Sequence, residues 1–390
     1  MSGREVAIVG VAMSKQARHT GRTSEDIFAE VLRAGLADAG LSLDDVDGFA
    51  NVSVPDGTSM GVQTGNVARF IGRPLVSTFP TSGAVALLHA CALIRSGLAE
   101  TFVLAHGFAE PPRGSGVVSY TTPQFEWSEW TGSFTPAQMA LLTRRHMHEY
   151  GTTVDHLATT AAMLRNFGSN NPEAVMYGRG PYGPADILAA PMVAEPITRL
   201  MCSLVNDGGS CVVVTSAERA RDCRHDPVWV IGGAMEQYYS TWYDVPSLEL
   251  LRSRPRMLRG FTDAGVTHDD IDLVNIYDHY PIGVIEALEC LGFCDVGDGG
   301  PFVTGQCGLG DGRLPVSPHG GCQSHSHNMV PYNHNIVEAV RQFRGDVPDN
   351  CPGGHHTHDP ATCRKVRDPR LAVACGPLTG VFSYALLAKD

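Results

Sequence analysis

Positive charge is scarce in this chain. Its 29 lysines and arginines face 41 aspartates and glutamates, for a formal net charge of −12. Binding to nucleic acid needs a cationic face that neutralises phosphates, so this balance argues against a nucleic-acid partner. An anionic cofactor such as an acyl-CoA or a nucleotide stays admissible, because it needs only a local basic pocket. A membrane-spanning run is missing as well: no apolar stretch approaches the ~20 residues that cross a bilayer. The leading MSGREVAIVGVAMSK lacks the apolar core of about 7–15 residues and the cleavage site of a secretory signal. Eleven cysteines in a long chain without such a leader point to reduced thiols and a cytoplasmic protein.

What is present fits a folded globular protein, with 43% hydrophobic and 18% charged residues. Its 390 residues suffice for one large domain or two ordinary ones. EVAIVGVAMS (5–14) reads as a buried strand, and SEDIFAEVLRAGLADAG (24–40) as a helix with Ser24 as N-cap and a glycine stop. TSGAVALLHACALIRSG (81–97) is an apolar helix, followed by the strand ETFVLAHGF (100–108). This βαβ-type alternation is interrupted at about 109–200 by an excursion rich in Trp, Tyr, Gly and Pro, with the helical passage PAQMALLTRRHMHEYG inside it. The alternation then returns: GGSCVVVTSAERA and PVWVIGGAM read as strands around a short helix, followed by helices at 250–264, 281–291 and 333–344 and a closing strand pair, LAVACGP and GVFSYALLAK. THDDIDLVNIYDHY repeats the rhythm of LSLDDVDGFANVSV, a polar lead, Asp-Asp, then a strand. Two similar halves, 1–200 and 201–390, point to an internal duplication of a mixed α/β unit.

Several stretches carry a family resemblance: RRHMHEYGTT (144–153), NDGGSCVVVTSAERARD (206–222), YDHYPIGVIEALECLGFCDVGDGGPFV (277–303), LPVSPHGG (314–321) and IVEAVRQFRG (336–345). In this order they resemble the thiolase superfamily, and within it the lipid-transfer-protein, or sterol-carrier-protein-like, thiolases. The resemblance implies an α/β thiolase fold of duplicated mixed-sheet halves in five layers, α-β-α-β-α, assembled as a homodimer. It also implies action on acyl-CoA thioesters, next to the thioester carbon, with CoA as part of the substrate and no other cofactor required.

Each catalytic motif of the family meets its own position here. Thiolases start a buried helix with a nucleophilic cysteine in a Cys-Ala-Ser-Gly-like sequence, where the helix N-terminus favours a thiolate. This chain reads PTSG, with Pro80 at the cysteine's place, and proline offers no nucleophile. Cys91 lies about three turns further along the same helix and reads as a small core side chain. The family's Asn-Glu-Ala-Phe or His-Asp-Cys-Phe becomes Tyr277-Asp278-His279-Tyr280. A Tyr-Asp pair there resembles the steroid side-chain-cleaving aldolases, which cleave a β-hydroxyacyl-CoA by retro-aldol chemistry without an acyl-enzyme. Such a step needs a base near the β-hydroxyl and donors around the enolate oxygen, not a nucleophile. A phenol, with an ordinary pKa near ~10, needs a neighbour such as His279 or His327 to act as base; the alternative is a tyrosine that caps the strand. Six residues after Gly320-Gly321, His327 takes the place of the Gly-His-Pro histidine, and Tyr332 is a second candidate for that loop's role. The other histidines of HGGCQSHSHNMVPYNH, at 319, 325 and 334, read as solvated loop residues. Cys375 stands where thiolases keep a proton-shuttling thiol, and reads either as the proton donor to an enolate or as a small buried residue.

One insert belongs to no family motif. In DNCPGGHHTHDPATCRKVRD (349–368), Cys351, His355, His356, His358 and Cys363 offer closely spaced sulfur and imidazole ligands of the kind that suit Zn²⁺. The spacing is not that of a standard finger, and a solvated His-rich loop is the alternative. A disulfide between Cys351 and Cys363 is disfavoured in a reducing compartment. The expectation is therefore a carbon–carbon lyase in which Tyr277 takes the hydroxyl proton, His327 stabilises the enolate, and Cys375 or water protonates it. The resemblance adds a small OB-fold partner protein. An acyltransferase using Cys91 or Cys322, or a non-catalytic acyl-CoA-binding subunit, are the alternatives.

Overall fold

A computed structural model describes residues 5–51, 67–68, 71–109, 135–237, 249–309, 313–328, 332–347, 363–376 and 381–390. The first half opens with β1 (Val6–Met13), α1 (Ser24–Ala39), β2 (Gly48–Ala50) and β3 (Ser77–Phe79), then α2 (Gly83–Arg95) and β4 (Thr101–Phe108). The N-cap of α1 is Thr23 rather than Ser24: the Thr23 hydroxyl accepts from Asp26 N and the Asp26 carboxylate accepts from Thr23 N. This reciprocal pairing satisfies two otherwise orphaned helix donors. Ser24 Oγ instead accepts from Ala109 N at 3.0 Å. The excursion holds α3 (Thr135–Tyr150), α4 (Val154–Ser169) and a small hairpin, β5 (Met192–Ala194) with β6 (Ile197–Thr198). The chain continues through β7 (Gly208–Ser216), β8 (Val228–Gln237), α5 (Arg254–Ala264), β9 (Leu273–Asn275), α6 (Pro281–Leu291), α7 (Gly299–Gln306), α8 (Tyr332–Arg344), β10 (Leu371–Cys375) and β11 (Val381–Ala388).

The strands run in the order β3-β2-β4-β7-β1-β8-β11-β10-β9. At its middle the order is joined only by Ala7 with Trp229 and Ile8 with Val228. Either side of this seam the pairing repeats. β2 is parallel to β4, which is antiparallel to β7, itself antiparallel to β1. In the same way β9 is parallel to β10, which is antiparallel to β11, itself antiparallel to β8.

The polar leads repeat too. Asp47 Oδ2 accepts from the backbone of Glu100 and Thr101 at 2.7 and 3.0 Å, and Asp272 Oδ2 accepts from Arg370 and Leu371 at the same two distances. Each aspartate thus ties the start of a short parallel strand to its neighbour, which is why the two sequence leads look alike.

Three apolar cores account for the five layers. On one outer face Phe28, Val31, Leu32 and Leu36 of α1 pack on Ala7, Val9, Val103 and Val213. In the centre α2 and α8, through Leu87, Ile94, Ile336 and Val340, fill the space between strand residues of both halves, among them Ile8, Val212, Ala372 and Leu387. On the other face α5 and α6 cover Val373, Phe382 and Leu386. A strand alternates its side chains between faces, so β10 sends Ala372 and Ala374 to the central layer and Val373 and Cys375 to the outer one.

Candidate active site

β9 ends at Asn275, and the backbone turns through residues 276–280 before Pro281 opens α6. Proline at the first helical position lacks only an N–H that has no helical partner. Asn275 Nδ2 donates to Asn335 O, and Asn335 Nδ2 donates to Cys375 O, both at 2.8 Å, so the strand end is locked to α8 and β10. Ile276 N donates to Ser317 Oγ at 3.0 Å. This bracing presents the Tyr277 side chain, which is 8% exposed.

The Tyr277 hydroxyl meets His327 Nε2 at 3.1 Å. Its ring stacks on His279, with centroids 4.6 Å apart and planes 8° from parallel, and Tyr332 stands edge-on at 4.8 Å. The His279 Nδ1–H donates to the Tyr277 carbonyl at 3.3 Å. Burial pushes the pKa of His279 down to about 4, and it does the same to His327. Both rings are therefore neutral near pH 7, and a neutral His327 Nε2 can accept the phenolic hydrogen. Four of the five sequence candidates, Tyr277, His279, His327 and Tyr332, thus meet around one phenol.

Asp278 does a different job from its neighbour. It is fully buried, and its carboxylate accepts from Cys322 N at 2.6 Å and Gln323 N at 3.3 Å, while Gln323 Nε2 donates to the Asp278 carbonyl at 3.0 Å. Burial lifts its pKa to about 6 against the pull of those N–H groups. The carboxylate thereby holds the π-turn Gly321–His325, which leads directly into His327. Gly321 has φ +56°, and a Cβ there would run into both Asp278 oxygens, so the turn needs glycine on two counts. From the other side Asn206 Oδ1 accepts from His327 N at 3.0 Å, and Asn206 Nδ2 donates to Ser326 Oγ at 2.9 Å. Asn206 opens the NDGG stretch, and its role in holding His327 could not be read from a motif noted only for its resemblance.

Pro80 and the start of α2 lie near the same place. Gly83, with φ +61°, donates its N–H to Asn333 Oδ1 at 2.8 Å, and a Cβ on Gly83 would strike Tyr332. The helix start that would carry a nucleophile is thus in contact with the residue that packs edge-on against Tyr277.

The thiols are placed less favourably for reaction. Cys375 is fully buried on β10 beside Cys290 and Tyr384, and burial pushes its pKa far above the ordinary thiol range. Cys91 sits in the central core, its pKa pushed up to about 12 by burial. Cys322 uses its backbone N–H to hold Asp278, and burial raises its thiol well above 9.0. Among the described residues all nine free cysteines are shifted upward. None is an activated thiolate, because each lies in apolar surroundings without a dominating cation.

Two expectations are corrected. His319, His325 and His334 are not solvated: they are 3%, 1% and 1% exposed, packed beneath the site. Gly320 and Ser324 press against Gly168 of α4, and α8 covers the other side, so the polar loop is threaded inside the protein. Cys363 is disulfide-bonded rather than a free thiol, which removes it as a thiolate ligand for zinc. Cys351, His355, His356 and His358 lie outside the described residues.

Comparison with known proteins places this geometry in context. The thiolase C-terminal domain-like family matches residues 250–356. A 17-hydroxy-3-oxo-4-pregnene-20-carboxyl-CoA lyase of Mycobacterium tuberculosis is 31% identical over 379 residues, covering 91% of this chain and 96% of that protein. A steroid side-chain-cleaving aldolase of Thermomonospora curvata is also 31% identical, over 89% of this chain and 92% of its own. Among solved structures, the Ltp2-ChsH2(DUF35) aldolase superposes with a TM-score of 0.81 and 29% identity, covering 98% of this chain and 97% of that one.

Proposed function

The chain belongs to the thiolase superfamily, on the branch that holds steroid side-chain-cleaving aldolases, and we propose that it cleaves a β-hydroxyacyl-CoA by a retro-aldol reaction without an acyl-enzyme. The observation that carries this reading is the Tyr277 hydroxyl held 3.1 Å from a neutral imidazole. With its hydrogen donated to His327 Nε2, the phenolic oxygen acts as acceptor for the substrate's β-hydroxyl hydrogen. As that proton moves to Tyr277 and the phenolic proton to His327, the β-oxygen becomes a carbonyl. The Cα–Cβ bond breaks, and its electrons pass into the thioester enolate. The enolate then takes a proton at Cα from water or Cys375 and leaves as the shorter acyl-CoA. His279, stacked on Tyr277, and Tyr332 at its edge fix the phenol and shape the acyl site.

The absence of an activated thiol among the described residues weighs against an acyltransferase that uses Cys91 or Cys322, since a thioester exchange needs a thiolate. The substrate class follows the two relatives: a CoA ester whose β-hydroxyl sits on a ring carbon of a steroid or similar bulky group. The solved aldolase is a complex with a DUF35 protein, and a small partner of that kind, beside a homodimer of this chain, is part of the proposal. No further cofactor enters the chemistry.

The test is direct. The purified chain, alone and with a DUF35 partner, is mixed with β-hydroxyacyl-CoA esters, and the ketone and shortened acyl-CoA are followed by mass spectrometry. Removing one general base lowers rates by roughly 10²–10⁴-fold, so Tyr277→Phe should lose turnover on that scale while keeping its fold. A stable acyl adduct on a cysteine of the wild-type protein would instead favour the acyltransferase.

A further inference from the structure

Beneath the catalytic pair lie buried imidazoles with too few partners. His106 Nδ1, His319 Nδ1, His327 Nδ1, His334 Nδ1 and both nitrogens of His325 have no hydrogen-bond partner among the described residues. The Leu204 backbone lies against the His327 ring without completing a hydrogen bond to Nδ1. Buried polar atoms are almost always paired, with protein or with ordered water, so so many in one place call for an explanation. A shared metal ion does not supply it: no three His, Cys, Asp or Glu side chains among the described residues are placed to hold one.

The rings form a line rather than a cage. His327 meets the Tyr277 hydroxyl. His334 Nε2 lies 3.5 Å from the side-chain amide of Asn328, the residue after His327, and His106 Nε2 joins the same residue through its carbonyl at 3.0 Å. The His334 and His325 ring centroids are 5.4 Å apart, edge to face, and those of His325 and His319 are 5.3 Å apart in the same manner. Next to His319 stands Glu338, paired with Arg364 at 2.6 Å and accepting from Gln342 Nε2 at 2.8 Å. Gln342 lines an open cleft of about 650 Å³ together with Arg344, Lys365 and Lys389.

We propose that His334, His325 and His319, with water bridging their unpartnered nitrogens, relay protons between the Tyr277–His327 pair and Glu338 beside that cleft. The proposal rests on the retro-aldol reading of the same pair. In that reaction the β-hydroxyl proton reaches His327, whose second proton leaves from Nδ1, and the relay carries one proton out to Glu338 and solvent. The enolate receives one proton at Cα by a separate path, so protons balance over the cycle and nothing is oxidised or reduced. The rings are in the state a relay needs. Burial keeps His319 neutral, at about 4, and holds His325 and His334 well below the ordinary range, so each can accept at one nitrogen and donate from the other. Arg341 and Arg364 add to that depression, while Glu338, held ionised by Arg364 against its burial, is the acceptor at the far end.

The experiment uses His325→Phe, with His319→Phe as a second variant, assayed in the same complex as the wild type. Neither His325 nitrogen holds a partner among the described residues, so a merely structural role predicts unaltered turnover in a folded variant. A relay predicts a fall in kcat of about tenfold or more, KM within about twofold, and an enlarged solvent deuterium isotope effect on kcat. Unchanged kcat and isotope effect in both variants, with Tyr277→Phe inactive, would overturn the relay and leave the catalytic pair standing. Equal turnover by wild type and Tyr277→Phe would overturn both. Independently of activity, a high-resolution crystal structure should show ordered water or a direct hydrogen bond at the His325 nitrogens, and dry nitrogens there sink the relay.

Discussion

Lowering the pH from 7 to 5 should strongly destabilise this protein, and the reason is its buried histidines. His106, His279, His319 and His327 have their pKa pushed down to about 4, and His325 and His334 are held well below the ordinary range, all chiefly by burial. In the unfolded chain each returns to 6.5, so in this range the unfolded state binds more protons than the native one, and stability falls as the pH falls. Integrated from pH 7 to 5, each of the four histidines near 4 removes about 1.8 kcal/mol, so together they remove about 7 kcal/mol, and His325 and His334 add to the loss. Asp278 and Glu286 act in the opposite sense. Burial raises them to about 6 and about 7, so the native state takes up their protons first, returning about 3–4 kcal/mol on the way down. His146, raised by Glu289 against its burial, adds to that return, and Glu338, held low by Arg364, adds to the loss. The net loss from these groups is about 4 kcal/mol before His325 and His334 are added, a large share of the whole stability of a typical domain, about 5–15 kcal/mol. Urea unfolding followed by circular dichroism at half-unit pH steps measures it, and His325→Phe should flatten the dependence relative to wild type. A slope below about 1.4 kcal/mol per pH unit between pH 6 and 5, the effect of a single proton, would refute the reasoning.

The other expectations are local. Gly321→Ala forces a positive φ and a clash with the Asp278 carboxylate, so the π-turn should shift, with a lowered thermal midpoint and a fall in kcat/KM from displacement of His327. Asp278→Asn keeps the size but replaces one accepting oxygen with an NH₂ that opposes the Cys322 or Gln323 N–H. It should lower kcat/KM by about tenfold, with near-native circular dichroism at pH 7. Glu289→Ala strands His146, whose Nε2 lies 3.0 Å from Glu289 with both side chains fully buried, and should cost about 3–5 kcal/mol in urea unfolding. Glu289→Gln, which keeps a hydrogen-bonding side chain, should cost visibly less.

Much of the fold was legible because it rests on local rules. The helical spacing of α6, its proline start and the glycine that ends it set the limits 281–291 without any tertiary information. The two Asp-containing leads announced the duplication, since each half needs the same carboxylate to tie a short parallel strand to its neighbour. The helix start at α1 was legible only to within one residue, because Thr23 and Ser24 are both good caps and only geometry decides which hydroxyl faces the N–H of Asp26.

The candidate site divides along the same line. From the sequence alone came Tyr277 at the end of β9, His327 after a Gly-Gly pair, and Pro80 where a nucleophile would stand, since residue identity at a motif position is a one-dimensional property. Their meeting came from the tertiary structure, because Asp278, Asn206 and Gln323 are distant in sequence yet brace one turn. Tertiary structure also decided the fate of His319, His325 and His334. A stretch as polar as HGGCQSHSHN carries no sign of burial, but α4 and α8 enclose it, and enclosure is a property of the surrounding packing rather than of the residues enclosed.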